Sequence, residues 1–84
     1  MRSPVSLYER VVLRRDLDDL GIKRGDVATV VDSVPHPEGG EPGCVLEVFN
    51  ALGESIAVVA VPISAVEPLQ ADEVLAVRRL ASVR

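Results

Sequence analysis

No tryptophan occurs in this chain, and Tyr8 and Phe49 are its only aromatic side chains. That scarcity counts against an aromatic-lined groove for Pro-rich peptides and against a platform for stacking nucleic-acid bases. Cysteine is almost as scarce. With Cys44 alone, no internal disulfide can form and no second thiol is available for a Cys-rich metal site, so a reducing cytoplasm is the expected setting. His36, the single histidine, lies between two prolines with no nitrogen or sulfur ligand near it in sequence, and reads as a loop residue rather than a metal ligand or general base.

Positive charge is in deficit. Thirteen acidic against nine basic side chains give a net charge of −4, the wrong sign for an electrostatic grip on phosphates. Long apolar runs are absent as well: no stretch approaches the ~20 residues of a membrane span. Met1-Arg2-Ser3-Pro4 leads into a charged segment rather than an apolar one, so the expectation is a soluble cytosolic protein without a signal peptide. One His, one Cys and scattered carboxylates define no nucleophile–base pair. No catalytic, metal or cofactor site is therefore expected, and the chain does not read as an enzyme.

What is present is aliphatic. A hydrophobic share of 48% excludes disorder of the low-hydrophobicity, high-charge kind. At 84 residues the chain makes one small domain, able to bury only roughly 60–65% of the surface that its unfolded form exposes. Its stability margin is accordingly thin. The ordered core is expected over about residues 5–79, with a loose tail at 80–84.

The organising stretch is Leu17 to Val34, where a glycine-punctuated turn feeds a Val-rich strand. Before it, Val11, Val12 and Leu13 give a first strand at about Arg10–Arg14. Asp16, Asp18 and Asp19 could suggest a cation site, but Ca²⁺ loops need regularly spaced ligands and a closing glutamate, which are missing here. They read instead as the solvated skin of a turn around the apolar anchors Leu17, Leu20 and Ile22. Gly21 and Gly25 supply the backbone freedom that such a turn needs, and Asp26 can hydrogen-bond locally as the chain enters the strand Val27–Val34.

The loop Pro35–Pro42 holds three prolines, two adjacent glycines and two glutamates, and marks an exposed hairpin connection. Strand character resumes over Gly43–Asn50. A period of two there sends Cys44, Leu46 and Val48 inward and Val45, Glu47 and Phe49 outward, which makes Cys44 a small core residue. Gly53 is the expected positive-φ residue of the next turn. Ser55–Val61 is a continuous apolar strand, either buried on both faces or offering one face to a partner. Ile63–Val66 then suggests a single helical turn, and Val66–Leu69 a last short strand.

Ala71–Arg84 fits two patterns. As a helix it places Val74, Val77, Leu80 and Ala81 on one face; as a strand, Val74–Arg79 would extend an edge of the sheet beside the first strand. The strand is the preferred expectation. Leu75, Val77, Arg78 and Arg79 are then the candidate partner surface, on a C-terminal stretch made cationic by Arg78, Arg79 and Arg84. The fold expected is all-β: an SH3-like, partly open barrel of five to six antiparallel strands with one short 3-10 turn.

The motifs Leu20 with Gly25-Asp26 and Val30-Val31, Leu46-Glu47-Val48 with Asn50 and Gly53, Val66-Glu67-Pro68-Leu69, and Asp72 to Arg78 recur here in a characteristic order. In that order the chain resembles, over roughly Val11 to Arg79, a family of short bacterial proteins classed only as a domain of unknown function. The resemblance implies an SH3-like barrel encoded beside toxin-like or uncharacterised genes, hence a protein partner; it implies no activity. This chain departs from the family at Ala28 and in its long, proline-rich Pro35–Pro42 loop.

Three functions compete on these grounds. A non-enzymatic protein-binding module ranks first, acting as the accessory or antitoxin-like partner of a neighbouring gene product through edge-strand addition or an apolar surface. A homo-oligomeric structural subunit, a homodimer for example, ranks second. A nucleic-acid-binding barrel using Arg14, Arg15, Lys23 and Arg24 ranks third, because the acidic residues 16, 18, 19 and 26 are immediate neighbours of those cations.

Overall fold

The structure is a computed structural model that describes residues 5–35 and 39–80. Five strands form one open antiparallel sheet: β1 (Arg10–Leu13), β2 (Val27–Val34), β3 (Gly43–Phe49), β4 (Ser55–Pro62) and β5 (Val66–Pro68), in the order β4-β3-β2-β1-β5. The all-β architecture is the one expected. Two 3-10 turns stand where one was expected: Asp18–Leu20 precedes β2, and Ile63–Ala65 links β4 to β5.

Strand periodicity builds the core. Val11 faces Ala28 across β1–β2, Val30 faces Leu46 across β2–β3, and Leu46 and Cys44 face Val59 and Val61 across β3–β4. Leu13 meets Val66 on the other side of β1. Apart from the half-buried Val59, all of these side chains are buried, and Ile22, Ala65 and Val5 complete the cluster. Each fully buried aliphatic side chain of this size contributes about 1.5–3 kcal/mol. Cys44 sits among them, where burial pushes its thiol pKa up and keeps it protonated. The alternation expected for β3 holds, with Val48 packed against the core and Phe49 exposed.

The turn before β2 is assembled from its own polar groups. Leu17 and Ile22 form an isolated antiparallel bridge, with the Leu17 N–H donating to the Ile22 carbonyl at 2.8 Å. Gly21 closes the first 3-10 turn at φ 73°, and Gly25, at φ 92°, donates its N–H to the Leu13 carbonyl at 2.8 Å. Side chains at such φ values are strained, so glycine suits both positions. Asp16 accepts the Arg24 N–H at 2.8 Å, and Asp26 accepts the Lys23 N–H at 2.9 Å. Leu20, expected as an anchor, is instead 43% exposed, because the 3-10 turn carries it to the outside of the Leu17–Ile22 bridge. Gly53 adopts φ 83° in the β3–β4 turn, as expected.

Before β1, the chain makes a turn in which the Glu9 carboxylate accepts the Ser6 N–H at 2.8 Å. Tyr8 lies in that turn with φ 67°, the only positive φ of a residue other than glycine among those described. The residue is 75% exposed. Pairing of Val34 with Gly43 makes Pro35–Pro42 the β2–β3 connection. His36 lies outside the described residues. Glu41, at the base of that connection, accepts the Ser64 N–H at 2.6 Å, and hydrogen bonding from the Ser64 side chain and backbone holds its carboxyl below the usual carboxylate range.

The C-terminal segment departs from expectation. Residues 72–80 form neither strand nor helix. A strand needs a ladder, and no backbone group of residues 74–80 bonds to either sheet edge; the nearest regular bond is a turn from the Glu73 N–H to the Gln70 carbonyl. Val74 and Val77 are consequently 91% and 92% exposed.

Leu46 is fully buried between Val30 and Val59 at the centre of this small core. Leu46→Ala should cost about 3 kcal/mol, read as a lowered urea midpoint followed by far-UV circular dichroism, with an unchanged slope.

Candidate partner interface

The two edges of the sheet are built differently. β5 is three residues long and contains Glu67 and Pro68, a short and blunted edge. β4 runs for eight residues, Ser-Ile-Ala-Val-Val-Ala-Val-Pro, without one charged side chain. Pairing only with β3, it leaves half of its backbone donors and acceptors along an open side. Ala57, Val59 and Val61 face inward, so of the two arrangements expected for this strand the one with a free face is observed. Ile56 (40% exposed) and Val58 (61%) point outward; Val58 stands opposite Glu47, and Phe49, 42% exposed, ends β3 nearby.

The C-terminal segment crosses the molecule next to this apolar face. Together they border an open groove of about 340 Å³, whose walls include Val27, Val48, Phe49 and Ile56 from the sheet and Leu75 and Leu80 from the segment. At one end of the groove Arg78 clasps Asp26. The guanidinium donates from Nε to Oδ1 at 2.8 Å and from Nη2 to Oδ2 at 2.6 Å, a bidentate fork, and Nη2 also reaches the Gly21 carbonyl at 3.3 Å.

Asp26 is thereby a junction. Its carbonyl accepts the Leu13 N–H at 2.9 Å, its N–H donates to the Lys23 carbonyl at 3.0 Å, and its carboxylate takes both the Lys23 N–H and Arg78. Its side chain is 16% exposed. Burial alone would raise its pKa, but the hydrogen bonds from Arg78 and Lys23 and the adjacent positive charges outweigh that and hold it below the usual carboxylate range. The same pairing raises the Arg78 pKa.

Of the residues expected to meet a partner, Leu75 and Val77 are exposed beside the groove, and the Arg79 carbonyl accepts a bond from Arg78 Nη1 at 3.1 Å. Arg78 is engaged within the chain, so its role in this state is to anchor the segment. Lys23 is likewise paired, with Asp18 at 2.7 Å. The free face of β4 and the local hydrogen bond of Asp26 were expected from the sequence and are observed; what sequence reasoning missed is the pairing of Asp26 with Arg78, for which there was no signal beyond opposite charges far apart in the chain.

A model for a domain of unknown function, DUF4926, matches residues 7–73. The chain belongs to the DUF4926 family. The match takes in all five strands, the turn before β2 and Asp26, and ends ahead of Leu75, Arg78 and Leu80, so the clasp joins a residue inside the DUF4926 span to one beyond it. The likeness read from the sequence extended to Arg79; the match stops at Glu73. No curated protein and no solved structure matches the chain.

Because the Asp26 pKa is lowered in the folded chain, the stabilisation from the clasp is present above the ordinary aspartate range and lost as the pH falls through the lowered value. Titrated by NMR, the Asp26 carboxyl should have a midpoint below that of an unstructured aspartate, with the Arg78 Nε–H signal fading over the same interval. At neutral pH, Asp26→Asn should accelerate tryptic cleavage after Arg78 and Arg79 several-fold.

Proposed function

We propose that this chain is a bacterial, cytosolic, non-enzymatic protein-binding module with an SH3-like barrel form, the accessory or antitoxin-like partner of a neighbouring gene product. The observation that carries the reading is β4: an edge strand of eight residues with no charge and with Ile56 and Val58 exposed. Edges of that composition are templates for another strand, and natural proteins that keep such an edge free usually blunt it with lysine, proline or a bulge. Here Pro62, at its end, and a register shift that leaves Ile56 unpaired between the Val48–Ala57 and Phe49–Ser55 pairs do so, and Ala57–Val61 between them runs uninterrupted. A partner strand laid along β4 would satisfy the open backbone groups while its side chains pack on Ile56 and Val58, which is recognition by β-augmentation. The strand order β4-β3-β2-β1-β5, with a 3-10 turn between β4 and β5, supports the barrel form.

The same edge supports a second reading, a homodimer in which two β4 strands pair antiparallel about a twofold axis. Absence of charge from the strand means that no like charges would oppose each other at such a seam, despite the net −4 of the chain. A nucleic-acid role draws less support, since Lys23 and Arg78 are both bound to carboxylates.

Co-expression with the products of adjacent genes, followed by affinity capture, tests the module. A captured neighbour that Val58→Lys weakens by about tenfold or more, with the melting temperature of the chain preserved, is the expected outcome. A concentration-dependent dimer mass abolished by the same substitution would move the assignment to the homodimer, and a monomer that captures no neighbour would refute both.

A further inference from the structure

Beside Asp26 the sheet already carries a peptide, the chain's own residues 75–80, which forms the second wall of the groove, and the manner of holding is informative. No backbone group of residues 74–80 bonds to the sheet. Attachment rests on the Arg78 fork and on Leu75 and Leu80, the less exposed of the apolar residues that the segment brings to the groove; Val77 borders it with most of its side chain in water, and Val74 stands outside it. The receiving side is more firmly built. Asp26 is fixed by its own backbone bonds to Leu13 and Lys23 and by the Lys23 N–H on its carboxylate, and the Gly21 carbonyl beside it belongs to the closed 3-10 turn. Two carboxylate oxygens and a carbonyl therefore converge on the place of one guanidinium without help from the segment they hold.

We infer that the sheet side of this groove, with Asp26 and the Gly21 carbonyl, is a binding site for an extended peptide bearing an arginine with apolar residues three positions before and two positions after it, and that residues 75–80 are a tethered peptide which such a ligand displaces. The pattern is that of Leu75, Arg78 and Leu80. Arginine is required over lysine because both carboxylate oxygens are bonded by separate nitrogens of a planar fork, a geometry that a single ammonium cannot reproduce. The arrangement is self-masking. Arg78 lies ten residues beyond the end of β5 at Pro68, and a tether of that length supplies the internal peptide at an effective concentration on the order of millimolar. A ligand in trans competes against that concentration. The site does not require β4 to take a partner, and the segment that masks it lies outside the DUF4926 match while Asp26 and Gly21 lie inside.

The test uses the full chain with Arg78→Gln, which frees the groove by removing one partly exposed side chain, and a fluorescein-labelled peptide of sequence Glu-Val-Leu-Ala-Val-Arg-Arg-Leu as probe. Anisotropy should show the variant binding this peptide about tenfold or more tighter than the wild-type chain, and a peptide with lysine or glutamine in place of the first arginine should lose about tenfold or more. Equal affinity of the variant and wild-type chains, equal affinity for the arginine and glutamine peptides, or no binding by the variant would each overturn the inference. Should Arg78→Gln impair folding, the wild-type chain titrated with excess unlabelled peptide decides: the Gly21 and Asp26 amide resonances shift with the arginine peptide and not with the glutamine peptide, and any other result overturns it. Val58→Lys, which addresses the β4 edge, should leave the peptide affinity of an otherwise Arg78→Gln chain unchanged, so failure of the edge and failure of the groove are separately visible.

Discussion

Asp26 is the point at which three parts of the molecule are joined. Its main chain pairs with Leu13 and so sets where β1 ends against β2; its carboxylate fastens the Lys23 backbone and thereby the turn; and its pairing with Arg78 places the C-terminal segment. A carboxylate with low exposure tolerates that position because it is bonded by a guanidinium and a backbone N–H, which replace the water it gives up. The charged skin around the turn follows from the same need: Asp16 and Asp26 cap N–H groups that a tight chain reversal leaves without partners.

Around that junction the interior is aliphatic apart from Cys44. Small, β-branched side chains suit the narrow space inside a five-stranded sheet, and both aromatic rings lie outside it, Tyr8 before β1 and Phe49 at the end of β3. The consequence is an unusual surface for a small domain: Leu52, Val58, Ile56 and Phe49 remain exposed near one sheet edge, and Leu75 and Leu80 partly cover the adjoining groove. A core cluster of this kind holds the sheet together; the material left over is what a partner would use.

The strands were legible because their boundaries are written in local chemistry. β2 begins after Gly25-Asp26 and stops before Pro35, and β4 stops at Pro62, as the punctuation requires. The 3-10 turn at Asp18–Leu20 was not legible, since it rests on short backbone bonds with no side-chain cap to announce it. Residues 74–80 misled for a different reason. Val74 and Val77 carry strand propensity, yet propensity forms a strand only where a ladder is available, and the segment is held by a side chain instead of by its backbone. The clasp itself joins residues 52 positions apart, a pairing that no local pattern encodes.

The position of Tyr8 has a practical bearing on how this protein can be observed. With no tryptophan present, Tyr8 is its principal near-ultraviolet chromophore and fluorophore, and it sits in a surface turn as a residue three-quarters open to water. Its emission therefore reports the conformation of that turn, held at a backbone angle unusual for a tyrosine, and not the state of the aliphatic interior. The interior of this molecule is optically dark: it can loosen or repack without a change in colour or glow, and only probes of the backbone or of its methyl groups will register the event.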